Sequence, residues 1–200
     1  MTNNIILQRA ANYFTEQTNL PSSPEVVNGL LEAEKTAKKE KITYCWEDLI
    51  GNWRLCFVTG TKKTRKKAGV VLGAGRYLPR LVKISLNYSS QEKSLANQGT
   101  VENRVEIGSL QLSLTGPVKF VTPKNILAFD FTRMKVKLLG LTLYDGYIRD
   151  GEAKEASFYS DRLAEQAFFL YFYITDSAIA ARGRGGGLAL WSKQSLTINH

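Results

Sequence analysis

The chain has 200 residues, 44% of them hydrophobic, and a formal net charge of +9. That length and apolar content suit one domain with a sizeable core, and no apolar run approaches the ~20 residues of a membrane-spanning helix. The single histidine is His200, and the two cysteines, Cys45 and Cys56, are eleven positions apart. Histidine triads, histidine proton shuttles and Cys/His zinc sites therefore lose their central players.

The first residues, Met1-Thr2-Asn3-Asn4-Ile5, have neither the basic start and apolar core of a secretory leader nor an Arg/Ser-rich transit composition. Reduced thiols are the expectation that follows. Residues 3–17 carry a helical stripe, Ile6, Ala10, Tyr13 and Phe14, at spacings of one helix face. After the break at Asn19-Leu20-Pro21-Ser22, Ser23 reads as an N-cap, with Pro24 at the first helical position and Glu25 in the first turn. The second helix runs through Val27, Leu30, Leu31 and Ala37. Its end is rich in lysine (Lys35, Lys38, Lys39, Lys41), which suits the negative pole of the helix dipole. Residues 1–45 are thus expected to be a helical segment packed on a β domain of residues 46–195.

From residue 50 the hydrophobic period changes to two. Trp53, Leu55 and Phe57 alternate with Arg54, Cys56 and Val58, and the same holds for 82–88, 101–107, 109–115, 127–132 and 134–138. Short runs at 141–148, 168–175, 178–182 and 187–192 bring the total to about eight to ten strands. Strict one-face alternation marks antiparallel strands with one wet face, and that many strands can close on themselves and remove their edges. The run 168–174 is apolar on both faces, so the helices are expected to cover its outside. On the inward parity fall Trp53 and the expected pocket-lining residues Leu55, Phe57, Ile84, Leu86, Leu112, Leu114, Phe129 and Phe131, in an eight-stranded barrel whose interior side chains nearly fill or that holds one small ligand.

Charge is localised. Residues 49–91 contain no Asp or Glu but include Arg54, Lys62, Lys63, Arg65, Lys66, Lys67, Arg76, Arg80 and Lys83. The cluster Lys62, Lys63, Arg65, Lys66 and Lys67 reads as a loop between strands. Three readings compete for it: a solvated hairpin tip, a contact with anionic lipid, or nucleic acid. The last lacks interleaved aromatics and any recognisable reading motif, so no nucleic-acid partner is expected.

Gly51-Asn52-Trp53 enters the first strand, and Arg182-Gly183-Arg184 stands near the last. A lipocalin-type barrel seals one end with such a pair, the guanidinium lying on the indole face, so Trp53, Arg182 and Arg184 are the expected barrel-closing residues. The glycines of Arg182-Gly183-Arg184-Gly185-Gly186-Gly187 suit a tight hairpin. They do not form a phosphate loop, because a strand, Leu188-Ala189-Leu190, follows instead of Lys-Ser/Thr. Asp145, Asp150, Asp161 and Asp176 sit in turn contexts. No catalytic group, metal site or cofactor emerges.

At these residues the sequence resembles the plastid lipid-associated (fibrillin) family of plants, algae and cyanobacteria. The likeness lies in Leu49-Ile50-Gly51-Asn52-Trp53-Arg54-Leu55, Val101-Glu102-Asn103-Arg104-Val105, Tyr173-Ile174-Thr175-Asp176 with Ile179 and Arg182-Gly183, and Gly187-Leu188-Ala189-Leu190-Trp191-Ser192-Lys193. Arg184 stands where that family usually carries an acidic residue. The resemblance implies a mainly β, lipocalin-like (calycin) barrel after two N-terminal helices. It also implies a non-enzymatic role: binding a lipid or isoprenoid (prenyl quinone or carotenoid-like) at the cytoplasmic face of the thylakoid or on plastoglobule-like bodies, in membrane protection. Its partners would be that apolar ligand, the anionic membrane surface and a photosynthetic protein complex. Two alternatives share the fold: a phycobiliprotein-lyase-like bilin carrier, and a solid barrel that docks on a photosynthetic complex.

Overall fold

The structure is a computed structural model that describes residues 2–16, 18–60, 75–90 and 96–194. Along the chain lie α1 (Thr2–Ala11), α2 (Ser23–Glu40), β1 (Gly51–Val58), β2 (Arg76–Tyr77), β3 (Val82–Ser89), β4 (Gln98–Ile107) and β5 (Leu110–Val121). They are followed by β6 (Ile126–Phe129), β7 (Arg133–Leu138), β8 (Leu141–Tyr147), α3 (Gly151–Ser157), β9 (Ala167–Ile174), β10 (Ala178–Gly183) and β11 (Leu188–Lys193). Eight antiparallel strands close in the order β1-β3-β4-β5-β6-β9-β10-β11, and β11 returns to β1 with Trp53 opposite Lys193 and Leu55 opposite Trp191. The expected mainly β barrel behind two helices is what the chain forms.

Two features went beyond the alternation pattern. First, β5 is too long for one partner. Its C-terminal half pairs with β6 (Val118 with Phe129) and its N-terminal half with β7 (Leu114 with Met134). The β7–β8 hairpin therefore extends β3, β4 and β5 into a flared five-stranded sheet beside the barrel. Second, the crossing segment Asp130–Thr132 is clasped on both sides. A Cβ on Gly116 would lie 1.9 Å from the Asp130 carbonyl oxygen, and one on Gly151 would lie 2.0 Å from that of Thr132. Only glycine permits backbones to approach so closely. The helix α3, which contains Gly151, was not foreseen.

The helices cover one side of the barrel. Leu7, Ala10 and Ala11 of α1, with Val26, Leu30 and Ala37 of α2, pack on Cys56, Phe57, Phe172, Tyr173, Ala178, Ala180, Leu188 and Leu190. The apolar run of β9 thus has its expected cover. The α2 cap lies one residue earlier than read: Ser22, not Ser23, is the N-cap. Ser22 N–H and its hydroxyl both donate to Glu25 at 2.7 Å. The Ser-x-x-Glu spacing of a capping box selects Ser22.

Gly116→Ala is expected to lower unfolding free energy by ~1–3 kcal/mol through overpacking, seen as a reduced denaturant midpoint. Gly108→Ala, at φ +57 with nothing within 4 Å, is expected to cost about 1 kcal/mol from left-handed strain alone.

Candidate functional site

The middle of the barrel is filled. Trp46, Trp53, Tyr88, Tyr171, Phe120 and Trp191 form one buried cluster with Leu49, Leu86, Val101, Leu127, Phe129 and Ile179. The hydroxyls of Tyr88 and Tyr171 bond each other at 2.8 Å in this cluster. Burial pushes both phenols upward from their ordinary range. Two facing tyrosines satisfy each other where a single one would strand a hydroxyl. Trp53 is fully buried, and its indole N–H donates to the Leu49 carbonyl at 2.7 Å.

The expected closing contact is corrected. The cation over Trp53 is Lys193, its Nζ 5.1 Å from the ring centroid. Arg182 turns the other way. Its Nε donates to Glu34 of α2 at 2.5 Å, its Nη2 donates to the second carboxylate oxygen, and its Nη1 reaches the Gly186 carbonyl at 2.7 Å. Arg184 donates to the carbonyl of Gln166 at 2.9 Å and, more weakly, to that of Glu165. Parity is the cause: Ile179 and Ala181 face the interior, so Ala178, Ala180 and Arg182 face the helices.

The expected pocket lining divides into four groups. Leu86 and Phe129 lie in the interior cluster, and Leu55 and Phe131 pack half-buried against it. Ile84, Leu112 and Leu114 lie on the apolar face of the flared sheet, opposite Val105, Val136 and Met134. Phe57 belongs to the outer cluster, a correction to its inward assignment. The reason is a bulge: the β1–β11 register shifts between Leu55 and Phe57, so Leu55 faces Trp191 but Phe57 faces Leu190. One extra residue flips every later side chain to the other face.

Of the basic stretch, Lys62, Lys63, Arg65, Lys66 and Lys67 lie outside the described residues. Others are engaged structurally. The Arg54 guanidinium sits 3.5 Å over the Phe14 ring and donates to the Arg80 carbonyl at 3.0 Å. Arg80 donates to the Tyr13 carbonyl at 2.9 Å, and Lys83 pairs with Glu106.

An apolar space lies between layers, outside the barrel. A groove of about 950 Å³ runs between the C-terminal half of α2 and β9. Leu31, Ala37, Ile42, Leu170 and Phe172 supply its apolar surface, and Lys35, Lys38, Lys41 and Lys124 stand round it. Asn125, at φ +51, fixes its floor: its Nδ2 donates to the Ile42 carbonyl at 2.6 Å and its Oδ1 accepts from Tyr44 N–H at 3.0 Å. Sequence reading had found the α2 lysines only as partners of the helix dipole. It did not single out Lys124 or Asn125.

This arrangement can hold an apolar body with an anionic or polar head. Among the described residues no group of three or more His, Cys, Asp or Glu is placed to hold a metal ion. Burial pushes the Cys56 thiol well above its usual range, and its sulfur bonds the Leu190 carbonyl.

No protein-family model and no curated protein sequence matches this chain. A solved structure similar to it is a redesigned β-barrel, with 9% identity and a TM-score of 0.36, covering 77% of this chain and 99% of that one.

Two measurements check the site. The exposed Cys45 thiol should react promptly with a thiol reagent in the native state, whereas the buried Cys56 should react only on unfolding. Tyr88 and Tyr171 are held neutral by the fold, and Tyr77 is pushed up to about 12. Their contribution is complete below the unfolded phenol value of ~10 and is lost as pH rises through the folded values. The denaturant midpoint should therefore fall above about pH 10, and Tyr88→Phe/Tyr171→Phe should flatten that fall.

Proposed function

We propose that this chain binds an apolar lipid or isoprenoid, a prenyl quinone or carotenoid-like molecule among them, at a photosynthetic membrane, in the protective role implied by its resemblance to plastid lipid-associated proteins. The binding place is the groove between α2 and β9. The observation that carries the reading is the pairing of an apolar floor with four lysines round it in about 950 Å³, a size within the range of small-molecule sites. An apolar tail gains ~25 cal/mol for each Å² it removes from water, and an ammonium ring favours a carboxylate, phosphate or quinone oxygen at its end. The Glu34–Arg182 pair pins α2 to β10 and so sets the width of the groove.

The filled interior favours a second reading, in which the barrel is a solid scaffold docking on a photosynthetic complex. Organic extraction of the purified chain followed by mass spectrometry separates the two. The lipid reading expects an apolar molecule in near-stoichiometric yield, and an empty extract together with failure to bind a fluorescent fatty acid leaves the scaffold. Leu31→Asp, at a half-exposed position of the groove, should weaken fatty-acid binding about tenfold, the worth of one lost apolar contact, without moving the melting temperature. Lys35→Glu/Lys38→Glu/Lys41→Glu should weaken an anionic amphiphile and leave a neutral isoprenoid unaffected.

A further inference from the structure

The flared sheet ends in a row of aliphatic side chains that no part of the groove or barrel uses. One cross-strand row runs through Val82, Ile107, Leu110, Leu138 and Leu141, one residue from each of five strands. The row behind it is Ile84, Val105, Leu112, Val136 and Tyr144. At the tip, water reaches Leu81 at 89%, Leu139 at 76% and Leu141 at 70% of their surface. Leu139 is also left-handed, at φ +51, in the Leu139-Gly140 turn between β7 and β8. A bulky residue at positive φ is strained, and asparagine or glycine would serve that turn better. A soluble hairpin gains nothing from a strained leucine offered to water.

The opposite face of the same strands is polar and carries Lys83, Arg104, Lys135 and Lys137, with Glu106 and Asp145 as their neighbours. Lys83 pairs with Glu106, Arg104 with Glu102 and Lys135 with Asp145. Lys137, beside the tip, and Arg133, over the Tyr147 ring at 4.6 Å, act on Asp145 only at longer range and make no close ion pair among the described residues.

We propose that the ends of the β4–β5 and β7–β8 hairpins, with Leu81, enter the interface of an anionic lipid bilayer. The proposal rests on the membrane part of the reading above and adds the face that touches the lipid. Two side-chain rows along a strand span ~7 Å, which matches the ~5–10 Å depth reached by interfacial apolar faces. At that depth Lys137, one residue from the Leu138 row, stands at the headgroups, where its charge meets phosphate. A second copy of the chain is the weaker occupant. Edge pairing along β8 would meet the bulge at Leu143, the residue left without a partner between Thr142 and Tyr144, a device that turns edges away from partners, and it would leave Leu81 in water.

Flotation with phosphatidylcholine vesicles, with and without phosphatidylglycerol, tests the inference on the whole chain. Leu81→Ser/Leu139→Asn/Leu141→Thr should reduce flotation with anionic vesicles by about tenfold or more, with a melting temperature unchanged or raised because asparagine tolerates the left-handed turn better than leucine. A dye sensitive to polarity on Leu139→Cys, in a Cys45→Ser background, should shift to the blue on anionic vesicles. The same dye on Glu47→Cys, at the far end of the barrel, should not. Wild-type chain that fails to float, a triple variant that floats like wild type, or a dye at position 139 that stays in water each overturns the proposal. So does a wild-type dimer that the triple variant dissolves without any flotation. Fatty-acid binding by the triple variant reports on the groove separately: it should be intact, and its loss or absence speaks to the ligand reading alone.

Discussion

The hydrogen-bonded ladder between β1 and β11 is the constraint on which the rest of the molecule depends. Without it, eight strands form an open sheet whose first and last members expose unpaired backbone. With it, the circumference is fixed at eight strands, and an eight-stranded barrel has an interior that side chains just fill. Three tryptophans and two facing tyrosines supply that filling. The closing strands bond through main chain, and Lys193, itself on β11, lies over Trp53. Arg182 is thereby left free to serve a different layer.

A solid interior moves recognition outward. The side of the wall formed by β1, β11, β10 and β9 is apolar on its outer face as well, which demands the two helices. Helices laid on a curved wall do not touch it evenly. Where α2 lifts from β9, a groove remains with apolar walls and the lysines of the helix end round it. The capping box at Ser22 fixes where α2 begins, and the Glu34–Arg182 pair fixes where its second half rests. The same lysines that satisfy the helix dipole therefore stand round the groove.

The other consequence comes from β5. A strand of twelve residues serves two partners, and Gly116 marks the switch by letting the Asp130 carbonyl approach. Beyond that point the alternation that packs the barrel continues into a sheet with no second layer opposite it among the buried clusters. Identical period-two patterning thus yields a core wall at one end of β3, β4 and β5 and, at the other, an apolar face with no second layer among the described residues.

The alternating hydrophobic pattern from residue 50 and the Ser-Pro-Glu start of α2 determined the mainly β class, the two preceding helices and the strand positions, because period and capping are local properties. They placed Leu86 and Phe129 inside the barrel for the same reason. What only the tertiary structure decided depends on register and on distant contacts. The bulge at Cys56 sent Phe57 outward, the parity of β10 turned Arg182 to Glu34 instead of Trp53, and the split pairing of β5 carried Ile84, Leu112 and Leu114 out of the barrel. None of these leaves a mark in the composition of its own segment. A strand's residues state which of them share a face, but only its partners determine what that face meets.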